Sequence, residues 1–347
     1  MRTITWHDDE KVIKMIDQRV LPEKFEILSY DHYQDVADAI RTMVIRGAPA
    51  IGVAAAFGIA MAAYNSNAVT IDTMIQDLKS AGEILCKARP TAVNLAWAVK
   101  RMLDAAESFQ GSVNEMREYL LGMAKDLADE DVATNKRLAE FGAALIKDGD
   151  TIVHHCNTGA LATVDWGTAL GVIRMANEQG KHIHVFVDET RPRLQGARLT
   201  AWELEQYGIS YDIITDGSSG YLMRKGLVQK VIFGADRVAV NGDVANKIGS
   251  YMLALAAYDN GIPAYSAFPI STVDFDLECG ELIPIEERDE MEVLALTLMG
   301  KPVAPEGASA RNFAFDVTPH RLISGWITEK GVIYPPFMRN LRALMKV

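Results

Sequence analysis

The chain has 347 residues, of which 49% are hydrophobic, and this is enough to bury a large core and to form two domains. Its net charge of -11 and its pI of about 5.2 argue against a nucleic-acid partner, which would need a broad basic surface. We therefore expect any phosphate to be bound locally, by a few side chains and backbone amides. Three scattered cysteines exclude a disulfide framework or a zinc cluster and favour a reducing, cytoplasmic location.

The N-terminal part of the chain shows strand and then helix patterns. Residues 1–30 alternate apolar and polar side chains in ITW, KVIKMI and FEILSY, which predicts a small antiparallel strand unit. The segment 35–147 has helical spacing throughout. The apolar run 48–63 is short for a membrane span and rich in Ala and Gly, so we interpret it as a buried helix and expect no membrane partner. The start of the chain lacks the apolar core of a signal peptide.

After residues 149–150 the pattern changes to short apolar strands that alternate with helices, which is typical of a parallel sheet. The predicted strands are 151–155, 183–187, 209–214, 229–233 and 263–267. The predicted fold is therefore α/β. A mostly helical N-terminal domain with a small antiparallel strand unit covers 1–147, and a Rossmann-like parallel sheet with helices on both faces covers 148–347. The segment 274–319 is expected to be irregular, with one short helix or strand, and to cover the site.

Two side chains that could form an acid/base pair follow predicted strands. Cys156 comes directly after TIVHH and is either a buried structural thiol or a thiol activated by the start of the Ala/Leu helix predicted behind it. Asp236 comes after VIF and could cap a turn, pair with Arg237, or sit half-desolvated and keep its proton as a general acid. Ligands and catalytic groups collect at the carboxyl ends of parallel strands, so this pair is the main functional hypothesis.

The segment RGAPAIG is a candidate phosphate site. Arg46, Gly47 and Ala48 lead into a predicted helix, and Pro49 suits its first position. The small residues would leave backbone amides accessible to an anion. The same residues could equally form an ordinary, tightly packed helix start, because the segment is neither a Walker A loop nor a dinucleotide fingerprint.

Other candidate ligands are more dispersed. Asn246 and Lys247 stand where a helix is predicted to begin, a position suited to an anion. Arg89 is either an anion ligand or a surface charge, and Gln195 could hydrogen-bond a sugar hydroxyl or stay solvated. The acids and arginines of 188–200 are expected to form a local salt-bridge network. The histidines share no metal-ligand spacing with carboxylates, so no metal site is expected.

Five motifs together resemble the methylthioribose-1-phosphate isomerases of methionine salvage. They are VIRGAPAIGVAAAFG at 44–58, ARPTAVNLAWA at 88–98, HHCNTGALAT at 154–163, VDETRPRLQGARLTAWEL at 187–204 and GADRVAVNGDVANKIGSY at 234–251. The resemblance spans nearly the whole chain. The wider superfamily also contains the regulatory subunits of translation initiation factor 2B and the ribose-1,5-bisphosphate isomerases.

The resemblance implies an aldose-to-ketose isomerase that makes 5-methylthioribulose 1-phosphate from 5-methylthioribose 1-phosphate. It implies that Asp236 donates a proton and that Cys156 assists the transition state. It also implies substrate contacts from seven further residues, namely Arg46, Gly47, Ala48, Arg89, Gln195, Asn246 and Lys247. A sugar phosphate would be the substrate, no metal or organic cofactor would be required, and the chain would form a homodimer.

Two questions stay open at the level of the sequence. Hydrogen could move from C2 to C1 of the sugar as a proton, with Cys156 as the base, or directly as hydride in an apolar pocket. Two other functions also compete with the isomerase. One is a ribose-1,5-bisphosphate isomerase, and the other is a regulatory subunit that binds a sugar phosphate or nucleotide without turnover and could dispense with the Cys156/Asp236 pair.

Overall fold

The computed structural model describes residues 1–90 and 92–345, which form two compact units. Unit 1 consists of Met1–Lys136 and Gly159–Gly167, and unit 2 consists of Arg137–Thr158 and the chain from Thr168 onward. Unit 1 is thus made of two separate stretches of sequence. The domain division after residue 147 stays a prediction.

Unit 1 begins with three strands and continues with helices, as the sequence predicts. The strands are β1 (Ile4–His7), β2 (Val12–Ile16) and β3 (Ile27–Tyr30), paired antiparallel in the order β1-β2-β3. The helices are α1 (Tyr33–Arg41), α2 (Ala48–Asn65), α3 (Ile71–Ala88), α4 (Val93–Ser108) and α5 (Val113–Ala143), the last of which continues into unit 2. The predictions of an antiparallel strand unit and of helices over 35–147 are therefore confirmed.

Helix α2 is the central helix of unit 1. Every residue from Ala50 to Ala63 is buried, because α1, α3 and α4 all contact this helix. By length and composition α2 could cross a membrane, but 78% of its 18-residue window is buried within the protein. A helix that is apolar on all sides belongs either in a core or in a membrane, and the packing here is that of a core helix.

Unit 2 contains the remaining elements. Its helices are α6 (Ala169–Glu178), α7 (Ala201–Gln206), α8 (Ser219–Arg224), α9 (Ser250–Asp259), α10 (Met291–Leu294) and α11 (Phe337–Met345). Its strands are β4 (Thr151–His154), β5 (His184–Asp188), β6 (Ser210–Ile214), β7 (Lys230–Phe233), β8 (Arg237–Ala239), β9 (Val244–Lys247), β10 (Ala264–Ala267), β11 (Val273–Asp274), β12 (Thr297–Leu298), β13 (Lys301–Pro302), β14 (Phe315–Thr318), β15 (Gly325–Thr328) and β16 (Gly331–Ile333).

Seven strands form the main sheet of unit 2 in the order β16-β15-β10-β7-β4-β5-β6. Every neighbouring pair is parallel except β15 with β16. The five strands predicted from the sequence all occur here, each within one residue of its predicted bounds. From β6 to β15 the order is that of a Rossmann sheet, so the Rossmann-like prediction is confirmed.

The strand order of this sheet reverses between β4 and β7. The chain moves from β4 to β5 and β6 on one side, and then returns to place β7 and β10 on the other side of β4. In sheets of this order the helices of the two halves lie on opposite faces, and ligands bind at the carboxyl ends of the two strands that flank the reversal, which here are β4 and β7. Cys156 follows β4, and Asp236 follows β7.

A second, four-stranded sheet of unit 2 has the order β11-β8-β9-β14. It accounts for part of the segment 274–319, which contains α10, the β12-β13 hairpin and β14. The prediction of one short element there is therefore wrong. β14 was not predicted because it forms by pairing with β9, a distant segment, and not from a local sequence pattern. In that pairing Phe315 lies opposite Lys247.

Candidate active site

Cys156 lies two residues beyond the end of β4 and is 6% exposed. Its backbone is left-handed (φ 65°), a conformation that costs a non-glycine residue about 1–2 kcal/mol. Two buried threonine hydroxyls hold it there. The Cys156 N–H donates to Thr190 Oγ1 at 2.9 Å, and Thr200 Oγ1 donates to the Cys156 carbonyl at 2.7 Å. The thiol is therefore carried by a strained and closely held backbone.

The helix predicted directly behind Cys156 does not form. Residues 160–162 make a single 3-10 turn, and α6 begins only at Ala169. Trp166 and Gly167 have left-handed backbones (φ 71° and 85°), which no continuous helix accommodates. The prediction of a thiol at a helix N-terminus is wrong, so the helix dipole does not provide its activation.

Asp236 is half-buried and lies three residues beyond the end of β7. Its N–H donates to the carbonyl of Ala245 in β9 at 2.9 Å, which fixes the start of the β8-β9 pair. The neighbouring Arg237 has its guanidinium 3.7 Å from Asp274 in β11. This carboxyl therefore sits where the main sheet passes into the small sheet.

The loops after β4 and β7 pack directly against each other. A Cβ on Gly234 would come within 2.5 Å of Thr158 Cγ2, so only glycine fits at this position. Thr158 in turn accepts the N–H of Leu170 through its hydroxyl, and its carbonyl accepts the N–H of Thr168. The segments that carry Cys156 and Asp236 are thus in contact at the switch point of the sheet.

Asn246 and Lys247 are the last two residues of β9, not the start of a helix. The prediction of a helix beginning there is wrong by three residues, because β9 pairs on both sides, with β8 and β14. Both side chains are buried. Asn246 Nδ2 donates to Ser250 Oγ at 2.8 Å, and Lys247 Nζ lies 4.9 Å from the centre of the Phe315 ring.

The N-terminus of α9 already has a carboxylate. Asp316 Oδ2 accepts the N–H of Gly249 at 2.7 Å, and its Oδ1 accepts the N–H of Tyr251 at 3.0 Å. Burial raises the pKa of the Asp316 carboxyl, although these two donors act in the opposite direction. An anion at Asn246 and Lys247 would therefore meet their side chains and not these amides of the helix.

Gln195 is buried and stands in the loop that follows β5. It is 6% exposed, and its Oε1 has no hydrogen-bond partner among the described residues. It directly precedes a π-helical turn over Gly196–Thr200, a form often found at functional sites. A buried amide oxygen without a partner is costly, so a ligand hydroxyl that donates to it would remove the penalty.

The RGAP segment, residues 46–49, belongs to unit 1. Gly47 has a left-handed φ of 98° and precedes α2, whose first two residues are Ala48 and Pro49. A Cβ on Gly47 would collide with the backbone of Ala162, so glycine is required by both conformation and space. Arg46 is half-buried beside it. The predicted helix start is confirmed, with the proline at its second position.

Arg89 is half-buried and directly follows the last residue of α3. Its backbone is extended (φ -147°), and its carbonyl accepts the N–H of Ala92 at 3.0 Å, just before α4. The guanidinium is thus carried by the short connection between two helices of unit 1.

A buried histidine network that was not predicted lies beside Cys156. His155 Nδ1 is 2.9 Å from Asp188 Oδ2, and His155 Nε2 is 2.9 Å from the carbonyl of Ile248. Asp188 also accepts the hydroxyl of Ser219 at 2.7 Å. Asp188, one of the acids of the local salt-bridge network predicted for 188–200, therefore pairs with His155, the residue that follows β4, and the rest of that network stays a prediction. The pairing of His155 with Asp188 could have been predicted from the sequence, because the two residues stand at the ends of adjacent strands.

Burial and charge act against each other in this network. Burial of the His155 imidazole opposes its protonation, but the hydrogen bond and charge of Asp188 outweigh it and raise the pKa of His155. Burial raises the pKa of Asp188, and its histidine partner offsets part of this effect. His154 differs, because burial lowers its pKa to about 4 and keeps it neutral.

His155, Asp188 and Asp216 each offer a ligand atom within 4.8 Å of the others. Asp216 already accepts the N–H groups of Thr190 and Arg191, each at 2.7 Å. Its carboxylate therefore fixes the backbone of the loop after β5, and through Thr190 it supports Cys156.

Comparison with known proteins places this arrangement in a family. The family model of the initiation factor 2 subunit family matches residues 44–335. A methylthioribose-1-phosphate isomerase of Geobacter metallireducens is 53% identical over 346 residues, which are 99% of this chain and 99% of that protein.

Two solved structures are similar over nearly their whole length. The 5-methylthioribose 1-phosphate isomerase of Pyrococcus horikoshii has a TM-score of 0.92 and 43% identity, covering 99% of this chain and 96% of that one. A protein of A. fulgidus described as translation initiation factor eIF-2B, subunit delta, has a TM-score of 0.89 and 44% identity, covering 100% of both chains. The chain therefore belongs to the methylthioribose-1-phosphate isomerases, within the initiation factor 2 subunit family.

Proposed function

We propose that this chain converts 5-methylthioribose 1-phosphate into 5-methylthioribulose 1-phosphate, with Asp236 as the acid and Cys156 as the base or transition-state stabiliser. The observation that carries the assignment of these roles is the position of Asp236 three residues beyond β7 and of Cys156 two residues beyond β4, on either side of the switch point of the sheet. The contact between Gly234 and Thr158 holds the two loops together.

An acid is needed because the anomeric oxygen of the substrate carries a phosphate. The ring is then a locked acetal that cannot open to a free aldehyde. Protonation of the ring oxygen lets the C1–O bond of the ring break, which leaves an oxocarbenium centre at C1 that keeps its phosphate. Asp236 would supply that proton. It is half-buried and lies three residues after the fully buried Phe233.

Hydrogen then moves from C2 to C1. Cys156 as a thiolate could remove the C2 proton, which would give an enol-type intermediate that is reprotonated at C1. Alternatively, hydride could shift from C2 directly to C1 while the buried Cys156 stabilises the transition state. Both routes give the same ketose, and both need the substrate held close to the thiol.

Seven further residues are proposed to bind the substrate. Gln195 would accept a sugar hydroxyl at its Oε1, which has no partner in the described part of the chain, and the ammonium of Lys247 beside Asn246 would bind the phosphate. Arg46 and Arg89 would supply charge, with the amides of Gly47 and Ala48. Gly47 packs on the backbone of Ala162 within unit 1.

We also propose a location, an oligomeric state and a range of partners for this chain. The chain would act in the cytoplasm as a homodimer, without a nucleic-acid or membrane partner. The net charge of -11 supports the absence of a nucleic-acid partner. Acid catalysis by Asp236 and hydrogen transfer at Cys156 would require neither a metal nor an organic cofactor.

Proton NMR of the purified protein with 5-methylthioribose 1-phosphate in deuterated water tests the reaction. We expect the ketose to appear. Deuterium at its C1 would indicate proton exchange, whereas its absence would fit a hydride shift or a shielded proton transfer. If no product forms and ribose 1,5-bisphosphate is isomerised instead, the substrate assignment is wrong. Binding without turnover of either sugar would favour a regulatory subunit, the class to which the eIF-2B name of the A. fulgidus protein points.

A further inference from the structure

We propose that Thr190 and Thr200 are positioning residues that hold the Cys156 thiol in place by fixing both polar groups of its backbone. The assignment of a role in turnover rests on the proposed function, but the effect on the thiol itself does not. Both threonines are fully buried in unit 2, and neither was predicted from the sequence.

The backbone of Cys156 needs an external restraint. Its left-handed φ of 65° is disfavoured for any residue with a Cβ, and no helix follows to hold it. Strained backbones of this kind persist only where surrounding contacts fix them, and they cluster at functional sites. Whatever holds this peptide therefore sets the direction of the thiol.

The two threonines provide that restraint from opposite sides. Thr190 Oγ1 accepts the Cys156 N–H at 2.9 Å and donates to the carbonyl of Asp188 at 2.9 Å. Thr200 Oγ1 donates to the Cys156 carbonyl at 2.7 Å and accepts Asn157 Nδ2 at 3.2 Å. Each hydroxyl acts as both donor and acceptor, so valine, which has the same shape, could make neither pair of contacts.

The threonines are themselves anchored by independent contacts. The N–H of Thr190 donates to Asp216 at 2.7 Å, and Thr190 also has a left-handed backbone (φ 64°). Thr200 ends the π-helical turn that begins at Gly196, where a Cβ would collide with the carbonyl of Asp188. Gln195 lies between the two threonines in the chain. One loop therefore positions both the thiol and a proposed substrate ligand.

The test replaces the hydroxyls without changing the shape of the side chains. Thr190→Val and Thr200→Val are compared with Thr190→Ser and Thr200→Ser. Thr328→Val is the matched control, because Thr328 is also fully buried in unit 2 and its hydroxyl donates to Gly331 in the β15-β16 turn. Alkylation of Cys156 by iodoacetamide without substrate is followed by peptide mass spectrometry, with Cys86 as the internal reference. Values of kcat and KM and the thermal midpoint are then measured.

We expect each valine variant to speed alkylation of Cys156 relative to Cys86, because the thiol is buried and held. We also expect kcat to fall about 10- to 100-fold, since small misplacements of a reacting group have effects of this size, with a smaller change in KM. The serine variants should restore both values, and Thr328→Val should change neither.

Alkylation and kcat that match those of Thr328→Val would overturn the proposal. Where a valine variant does not fold, the alanine variant at the same position is measured instead, with the same expectations. The two proposals can fail separately. Full activity of Cys156→Ser would remove this thiol from catalysis, whereas unchanged alkylation in the threonine variants would remove only their positioning role.

Discussion

The two proposed catalytic side chains are presented by short irregular segments that follow buried strands. Cys156 uses a left-handed backbone held by hydroxyl groups, and Asp236 uses its own N–H to begin the small sheet. The positions of these residues follow from the sequence because their strands are compact apolar runs with clear ends. The hydrogen bonds to the Cys156 backbone do not, because Thr190 and Thr200 lie more than 30 positions further along the chain.

We predict that Cys156→Ser and Asp236→Asn each abolish turnover and leave the fold intact. Serine is a weaker nucleophile and base at neutral pH, and the amide has no proton of suitable acidity to give. The NMR reaction measures activity, and circular dichroism checks folding. Cys279→Ser and Asp276→Asn are the controls and should keep full activity, because neither residue belongs to the proposed site. Near wild-type rates in either site variant would exclude that residue from the mechanism.

We predict that Arg89→Ala mainly raises KM, by about 10- to 100-fold, because a charge-assisted hydrogen bond to phosphate contributes about 1.5–3 kcal/mol. Initial rates over a range of substrate concentrations separate KM from kcat. Lys87→Ala is the control, since this exposed lysine in the last turn of α3 removes one positive charge only two residues away. An unchanged KM, or equal effects of the two substitutions, would show that Arg89 does not bind the phosphate.

At the scale of secondary structure, α9 shows why local sequence was insufficient. The segment GDVANKIGSY suggests a helix that starts near Asn246, yet β9 extends through Lys247 because β14 pairs with it. The partner strand lies about 70 residues further along the chain and also supplies Asp316 to the N-terminus of α9. Pairing between distant segments thus decided where this helix begins.

We predict that Asp316→Ala lowers the free energy of unfolding by about 1–2 kcal/mol, because two N–H groups of the first turn of α9 lose their acceptor. Chemical denaturation measures the change. Asp259→Ala is the control at the other end of the same helix. Asp259 is exposed and unfavourably placed for the helix dipole, so its removal should have little effect or a small stabilising one. Equal losses in both variants would contradict the capping role.

Within unit 1, the Asp131 carboxyl links helix α5 to the segment 159–167. Asp131 accepts the N–H of Val164 at 2.8 Å and receives a second hydrogen bond from Asn135. Burial raises the pKa of Asp131 to about 7, against the opposing effect of these donors. A carboxyl whose pKa is raised on folding stabilises the protein fully below its unfolded pKa, near 3.8, and loses this contribution as pH rises through about 7.

We predict that the thermal midpoint of the wild type falls relative to that of Asp131→Asn as pH rises from 5 to 8, because the amide cannot ionise. Differential scanning fluorimetry at pH 5, 6, 7 and 8 measures the difference. Asp129→Asn, at an exposed position two residues earlier in α5, should follow the wild type at every pH. A constant difference between wild type and Asp131→Asn would show that this carboxyl does not titrate in that range.

At the scale of the whole molecule, the α/β class, the N-terminal helices and the Rossmann sheet could be predicted, because each depends on hydrophobic periodicity within short windows. The membership of 159–167 in unit 1 could not. Its apolar residues look like the start of a helix, but Thr3 donates to the carbonyl of Ala160, and Gln18 donates to that of Leu161. Such contacts across more than 140 residues leave no local pattern.

We predict that the purified protein is a dimer with about twice the 38.1 kDa mass of one chain. Helices α8 and α9 pack together at Gly220 and Ala256, and Tyr221, Met252 and Tyr258 on these helices are largely exposed. A second subunit that covered these side chains would remove apolar area from water. Light scattering after size-exclusion chromatography measures the mass. Met252→Glu should produce monomer if this surface is the interface, and Met291→Glu, at an exposed methionine in α10, should not.

The two-part composition of unit 1 has a consequence for synthesis on the ribosome. Val164 belongs to the hydrophobic core of unit 1, and the carbonyls of Ala160 and Leu161 bind side chains from its first strands. The nascent N-terminal half therefore cannot complete its core when α5 emerges. It must wait until Gly167 has left the exit tunnel, when β4 of the next unit has also been made. Released chains that end at residue 147, which contain all of α5, would consequently be more sensitive to protease than chains that extend through Gly167.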